Sequence, residues 1–204
     1  MIIYDFFSGT GSATQAFEDA GHTVIKIELD EQFKAHERDI LELDAATLIA
    51  KYGQPDFIWA SPPCQKFSVA SCSRYWFPNG EPRDHLAGEA LALIQYTLEL
   101  IEQLAPPDGF IMENPRGMLR KQALMKELPR RTVTYCQYGD TRMKPTDLWG
   151  YARAWRPRPA CKNGDSCHDS APRGSKTGTQ GRKGAKDRSM IPYELGLEIM
   201  KAIS

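Results

Sequence analysis

The chain has 204 residues with 26 Lys plus Arg against 26 Asp plus Glu, a formal net charge of +0, so any basic footprint for nucleic acid has to be local. Its length suggests one domain, or one with a small appendage, and no apolar run approaches the length that spans a membrane. The five cysteines, Cys64, Cys72, Cys136, Cys161 and Cys167, are irregularly spaced and, with no signal peptide in view, are expected as reduced thiols of a cytoplasmic protein.

Residues 2–7 are an apolar run expected as a strand. Ser8, Gly9, Thr10, Gly11 and Ser12 follow, and residues 13–20 read as a helix closed at Gly21. Strand, Gly-rich turn and helix is the opening unit of a nucleotide-binding fold. Glycine lets the backbone approach a ligand, and the helix start offers free N–H groups. A G-x-G pair short of the full dinucleotide fingerprint also fits an ordinary strand-to-helix turn. Residues 22–28 are a second expected strand. Glu28 falls at its end, about 20 residues past the Gly turn, where an acid accepts hydrogen bonds from ribose hydroxyls. A solvated loop acid is the competing reading. Asp39 ends a short third segment and is open between accepting from an adenine amino group and lying on a loop surface. Residues 45–52 read as a helix ending at Gly53, and residues 57–60 as a buried strand.

Pro62 and Pro63 end that strand, because neither can donate to a ladder and each fixes its own φ. Cys64 then sits just past the strand end in a rigid turn, at the edge where open α/β sheets bind ligands. A soft nucleophile held there is a candidate for covalent catalysis; the alternative is an ordinary cysteine in a Pro-rich loop. Residues 69–84 form a polar loop, read either as a lid or as a surface loop packed by its own aromatics. Arg74, Tyr75 and Trp76 are its candidates to touch phosphates and bases.

Residues 86–104 are apolar at helical period and are expected to face the core. Residues 110–112 form a strand that ends in Glu113-Asn114-Pro115, a carboxylate at a strand end locked by the following proline. Residues 117–128 read as a short helix, and 131–137 alternate as a strand, which gives Cys136 a role in buried packing. Residues 147–150 resume a strand. From Trp155 to Arg188 the composition shifts to Gly, Ser, Lys, Arg and Thr, with too few apolar residues for a core of its own. A terminal helix is expected to run to about Ile203. Cys161, Cys167 and His168 raise a metal question. Their spacing matches no usual zinc pair, adjacent Cys and His seldom ligate one tetrahedral ion, and no fourth ligand is evident, so no metal site is expected.

Taken in order, these motifs resemble the DNA (cytosine-5) methyltransferases, over most of the chain from Tyr4 to Gly150. Asp5-Phe6-Phe7-Ser8-Gly9-Thr10-Gly11 resembles the family's first motif, Pro63-Cys64-Gln65 its Pro-Cys-Gln, and Glu113-Asn114 its Glu-Asn. Ser189-Met190-Ile191-Pro192 resembles, more weakly, the final motif that walls the cofactor pocket. The resemblance implies an α/β fold with a doubly wound, mostly parallel sheet of the Rossmann-like methyltransferase type. It implies a catalytic domain over residues 1–154, a reduced recognition segment over 155–188 and a returning C-terminal helix over 189–204.

The implied cofactor is S-adenosyl-L-methionine, held by Asp5, Phe6, Ser8, Gly9, Thr10, Gly11, Glu28, Leu29, Asp39, Ile40 and Pro62. The implied reaction is methylation of cytosine C5, with the base flipped out of double-stranded DNA, through a covalent bond from Cys64 to C6. Glu113 would hold N3 and the exocyclic amine, and Arg142 or Lys144 the O2 side.

Three departures stand out. Pro115 follows Asn114 where the family has Val. The family's Gln-x-Arg-x-Arg element is not intact, with Thr146 in place of its second Arg. Its large recognition domain is reduced to the Gly/Lys/Arg segment. There Arg173, Lys176, Arg182, Lys183, Lys186 and Arg188 are open between tracking phosphates and forming a solvated loop. Transfer of a related group from a modified cofactor, action on RNA, and a catalytically silent nucleic-acid-binding module are the alternatives. Methylation of an amino group is disfavoured, because those enzymes carry an aromatic residue where Cys64 stands.

Overall fold

The computed structural model describes residues 1–69, 71–170 and 185–204, the side chains of residues 185 and 186 excepted. The apolar runs become β1 (Ile2–Phe6), β2 (Thr23–Ile27), β3 (Phe57–Ala60), β4 (Gly109–Pro115), β5 (Arg130–Thr134) and β6 (Pro145–Ala152). They form one six-stranded sheet of order β2-β1-β3-β4-β6-β5. β1 pairs in parallel with β2 and β3, and β3 with β4, while β6 runs antiparallel to both β4 and β5. Only β6 is therefore reversed. The sheet is the mostly parallel α/β type that the alternation of strands and helices implies.

Helices cover both faces. They are α1 (Gln15–Asp19), α2 (Ala45–Tyr52), α3 (Cys72–Tyr75), α4 (His85–Leu104), α5 (Ala185–Ser189) and α6 (Tyr193–Ile203). Side chains alternate across each strand, so the sheet feeds two cores. Tyr4, Phe6, Ile58 and Met112 pack with Leu48 of α2 and with Ile94 and Leu100 of α4. Ile3, Trp59 and Ile111 pack with Phe17 of α1 and with Leu195 and Ile199 of α6. Asp44 and Asp84 cap α2 and α4, accepting from Thr47 N at 2.8 Å and Ala87 N at 2.9 Å. Among the described residues no helix is long and apolar enough to cross a membrane.

Several elements depart from the sequence reading. α1 is shorter than expected because residues 12–14 stay in the Gly turn, where Thr14 N donates to Gly11 O at 3.2 Å. Residues 117–128 form no α-helix but two 3₁₀ turns, Met118–Lys121 and Ala123–Met125. Their register is set from outside: Met118 N donates to Phe67 O at 2.7 Å and the Gln122 amide to Gly80 O at 3.3 Å. The strand expected over 131–137 stops at Thr134, and Tyr135–Tyr138 is a 3₁₀ turn closed by Gly139 at φ +87°. The loop over 69–84 contains α3 and buries Trp76 against Phe67, ring centroids 5.4 Å apart, with Trp76 Nε1 donating to Lys66 O at 2.7 Å.

α6 brings the end of the chain back to the Gly turn. Ile191 N donates to Ser12 Oγ at 3.0 Å. A Cβ at Gly196 would stand 2.5 Å from Ala13 O, so α6 can lie this close to α1 only with glycine there.

Candidate active site

The strand order reverses between β1 and β3, and the crevice at the carboxyl edge of such a reversal is where open α/β sheets bind ligands. Four strand ends meet at this edge. β1 runs into Ser8–Gly11, β2 into Glu28, β3 into Pro62–Cys64, and β4 carries Glu113 and Asn114.

The first two ends form a polar cradle. Gly9 and Gly11 adopt φ +49° and +72°, a region where a side chain is strained, so this turn needs glycine. Glu28 is held rather than free: Oε2 accepts from Gly9 N at 2.8 Å and Oε1 from Asp30 N at 3.0 Å. A carboxylate offers about four lone-pair sites, so two stay open to further donors. Asp5 is fully buried; Oδ2 accepts from Thr14 Oγ1 at 2.6 Å while Oδ1 has no hydrogen-bond partner among the described residues. Burial pushes its carboxyl up to about 7, against the pull of the Thr14 hydroxyl and the Lys26 ammonium. Ser8 Oγ is likewise buried without a partner among the described residues. Leu29 is 60% exposed beside Glu28, an apolar surface next to the acid. Asp39 caps a short 3₁₀ turn, accepting from Leu41 N at 3.0 Å, and Ile40 behind it is buried.

The other two ends are tied together. Asn114 Nδ2 donates to Pro62 O at 3.0 Å, which fixes the Pro-Pro-Cys turn to the end of β4. Cys64 opens a tight turn, its carbonyl accepting from Phe67 N at 3.0 Å and Ser68 N at 2.9 Å. Glu113 is buried, and Oε1 accepts from the Tyr135 hydroxyl at 2.8 Å. Lys144 Nζ lies 4.6 Å over the Tyr135 ring and donates to Arg188 O at 3.1 Å.

Burial pushes the Glu113 carboxyl up, with Lys144 and the Tyr135 hydroxyl pulling it down. The Cys64 thiol is pushed up by burial and then by the Glu113 carboxylate, and pulled down by Lys144. Burial in turn lowers the Lys144 ammonium, while Glu113 raises it. Cys64, Glu113 and Lys144 thus form one electrostatic unit. A proton on Glu113 removes the main charge that opposes a thiolate on Cys64.

Several sequence expectations change here. Arg142 is not a free cation. It is 2% exposed, paired with Asp140, and donates to the carbonyls of Asp187 and Arg188 at 3.2 Å and of Met190 at 3.4 Å. It pins the returning chain, and Lys144 is the cation coupled to Cys64 and Glu113. Trp76 is core to its loop and is not available to stack on a base, whereas Arg74 remains exposed. Tyr135 went unrecognised because the alternating run through 137 hid the turn that aims its hydroxyl at Glu113.

Cys136, on the same turn, lies beside Cys161, Cys167 and His168, and so supplies the fourth group that the sequence did not reveal. Arg173, Lys176, Arg182 and Lys183, with the side chain of Lys186, lie outside the described residues; Arg188 lies within them.

A family model for C-5 cytosine-specific DNA methylases matches residues 1–130. The probable DNA (cytosine-5)-methyltransferase of Frog virus 3 (isolate Goorha) is 32% identical over 173 residues, covering 82% of this chain and 78% of that protein. The type II methyltransferase M1.HphI of Haemophilus parahaemolyticus is 28% identical over 128 residues, covering 56% of this chain and 32% of its own length. Among solved structures, the methyltransferase EhMeth of Entamoeba histolytica superposes with a TM-score of 0.54 at 15% identity, over 74% of this chain and 52% of that one. The S. pombe Dnmt2 methyltransferase superposes with a TM-score of 0.52 at 14% identity, over 78% of this chain and 51% of that one. The chain thus spans about half the length of these two structures, and the likeness to them is one of fold.

Proposed function

Because this chain belongs to the C-5 cytosine-specific DNA methylase family, we propose that it methylates C5 of cytosine in DNA, with Cys64 as nucleophile. The observation that carries this reading is the bond from Asn114 to Pro62 O, which ties the turn bearing Cys64 to the strand end bearing Glu113.

Cytosine C5 is a weak nucleophile. Addition of the Cys64 thiolate to C6, with a proton supplied at N3, converts the ring to an enamine whose C5 is nucleophilic. Glu113 is suited to that proton, since its buried carboxyl holds it more readily than an exposed one. The same protonation relieves the charge that opposes Cys64 ionisation. Lys144 opposes the charge that develops on the ring. Loss of the C5 proton, departure of Cys64 as thiolate and return of the N3 proton to Glu113 then restore the neutral aromatic ring.

S-adenosylmethionine supplies the electrophilic methyl group when bound. The cradle fits it. Glu28 has lone pairs open for ribose hydroxyls, and Asp39 caps the 3₁₀ turn Ile40–Glu42. Leu29 offers an apolar face to adenine, and Ser8 Oγ and Asp5 Oδ1 are buried polar atoms in want of a partner. We read residues 155–188 as a reduced recognition segment. Arg74 and Arg188 are exposed, and we read them as candidates to meet phosphates.

The test is a mechanism-based trap. Duplex DNA carrying 5-fluorocytosine, incubated with the protein and S-adenosylmethionine, is expected to form a stable adduct that maps to Cys64 and is lost in Cys64→Ala. Fluorine replaces the proton whose loss frees the enzyme. Labelled methyl found on an exocyclic amine, or undiminished transfer by Cys64→Ala, would defeat the proposal. The same trap in single-stranded RNA separates an RNA substrate from DNA.

A further inference from the structure

The turn Tyr135–Tyr138 ends one element of the catalytic site and begins something separate from it. Cys136 Sγ lies 3.0 Å from Cys161 Sγ and 3.6 Å from Cys167 Sγ. His168 Nδ1 lies 3.7 Å from Cys161 Sγ and 3.5 Å from Cys167 Sγ. All four ligand-type atoms fall within 4.8 Å of one another. A tetrahedral ion with Zn–S of about 2.3 Å and Zn–N of about 2.0–2.1 Å keeps sulfurs about 3.8 Å apart and sulfur about 3.6 Å from nitrogen. Three of the four separations match these values. The Cys136–Cys161 pair is closer than a metal would hold it, yet well beyond the roughly 2.05 Å of a disulfide bond.

The surroundings suit thiolate ligands. Gln137 Nε2 points at Cys167 Sγ from 3.3 Å, a donor placed to support a ligating sulfur. Cys161 N donates to Thr134 Oγ1 at 3.1 Å, which seats Cys161 at the end of β5. Asp169 N donates to Thr141 O at 3.0 Å just past His168. Between Cys161 and Cys167 the chain turns at Gly164, φ +99°, with Lys162 N donating to Asp165 Oδ2 at 2.7 Å. That turn returns both sulfurs to one point despite the unpromising spacing. His168 Nε2 is buried with no hydrogen-bond partner among the described residues, and Nδ1 faces the two sulfurs.

We propose that Cys136, Cys161, Cys167 and His168 form a structural zinc site, with three thiolates and one imidazole closing a tetrahedron. Thiolate with imidazole is the donor set of a closed zinc site, with no ligand position left for catalysis. The site joins residues 155–170 to the catalytic sheet. Apart from buried Trp155 that stretch holds little that could pack a core, and a metal supplies the cross-link instead. It also braces the turn that carries Tyr135 against Glu113. All four ligands lie beyond the residues that the family model matches.

The test reads metal, not methyl transfer, so its result stands apart from the proposed reaction. The full chain, purified under reducing conditions without chelator, should contain one zinc per chain by inductively coupled plasma mass spectrometry. Reconstitution with cobalt(II) should give the intense ligand-field absorption of a tetrahedral thiolate site, on the unmodified chain and so without risk from a misfolded variant. Cys161→Ser and His168→Ala should lose most of the metal, His168→Cys should keep it, and Cys72→Ser should keep all of it. A metal-free chain with five titratable thiols, a Cys136–Cys161 disulfide in the non-reduced protein, or zinc undiminished in the Cys161→Ser/His168→Ala double variant would each overturn the proposal.

Discussion

The Tyr135 hydroxyl donates to Glu113 Oε1 at 2.8 Å, and both side chains are buried. This bond orients the carboxyl that the proposed mechanism uses to protonate the base. Tyr135→Phe keeps the ring under Lys144 but removes the donor. A buried hydrogen bond to an ionisable group contributes about 1.5–3 kcal/mol, so the methyl-transfer step should slow by about 10- to 100-fold. The pH profile should also move. The hydroxyl pulls the Glu113 carboxyl down, so its loss lets that carboxyl rise further. Activity that needs protonated Glu113 persists below its pKa and falls as pH rises through it. The alkaline limb should therefore shift to higher pH while the maximum drops. Single-turnover rates across pH would show this, and an unmoved limb would assign Tyr135 to packing alone.

Cys64 reports on its neighbours without any substrate. Its thiol is raised by burial and by Glu113, and lowered by Lys144. Glu113→Gln should lower the thiol's pKa and speed alkylation of Cys64 by iodoacetamide at neutral pH. Lys144→Gln should raise it and slow alkylation. Peptide mass spectrometry separates Cys64 from the other thiols. Shifts in the same direction in both variants would show that the unit is not coupled through charge.

Much of this site could be read from residue order alone. The Gly turn, Glu28, Cys64 and Glu113 each stand at the end of a short apolar run, and strand ends of a parallel sheet converge whatever the helices between them do. What stayed hidden depended on contacts between distant segments. Arg142 and Lys144 both read as available cations. Asp140 is Arg142's neighbour in sequence, but only tertiary structure brings the carbonyls of Asp187, Arg188 and Met190 onto Arg142. Period-2 alternation through residue 137 made Tyr135 and Cys136 look like strand residues. Tyr135 N donates instead to Met143 O at 2.8 Å, which ends the ladder and turns both side chains to new partners. Trp76 was open between meeting a base and packing within its loop, because the partner that decides it, Phe67, lies nine residues earlier and outside the loop.

Asp5 should make stability fall with pH. Its carboxyl, ordinarily at 3.8, is raised to about 7 by burial, so the folded chain holds a proton there that the unfolded chain gives up near pH 4. Stability then declines as pH rises from about 4 to about 7, and the full cost is present above that window. Asp5→Asn can still accept from Thr14 and carries no charge. It should raise stability at pH 8 by about 1–3 kcal/mol, after allowing for its unpaired amide, and change little at pH 4. Urea unfolding at the two pH values measures the difference. Equal effects at both would show that Asp5 does not titrate in this window.

Gly117 holds the Cys64 turn in place by having no side chain. Its φ of −171° is open to any residue, so the constraint is steric: a Cβ would stand 2.1 Å from Phe67 O. Backbone must move to admit it, because Phe67 O already accepts from Met118 N at 2.7 Å and the Phe67 ring is stacked on Trp76. Phe67 N in turn binds Cys64 O at 3.0 Å, so displacement of Phe67 reaches the nucleophile. Gly117→Ala should cost about 1–3 kcal/mol of stability, the usual range for overpacking, and should lower kcat more than it raises KM. Gly88 in α4 is the matched control, since among the described residues a Cβ there meets nothing within 4 Å. Gly88→Ala should stabilise the helix by about 1 kcal/mol and leave kcat unchanged. Thermal melts and steady-state kinetics on the pair distinguish the two sites. A Gly117→Ala protein as stable and as active as the parent would mean that residues 67–68 yield without carrying Cys64 with them.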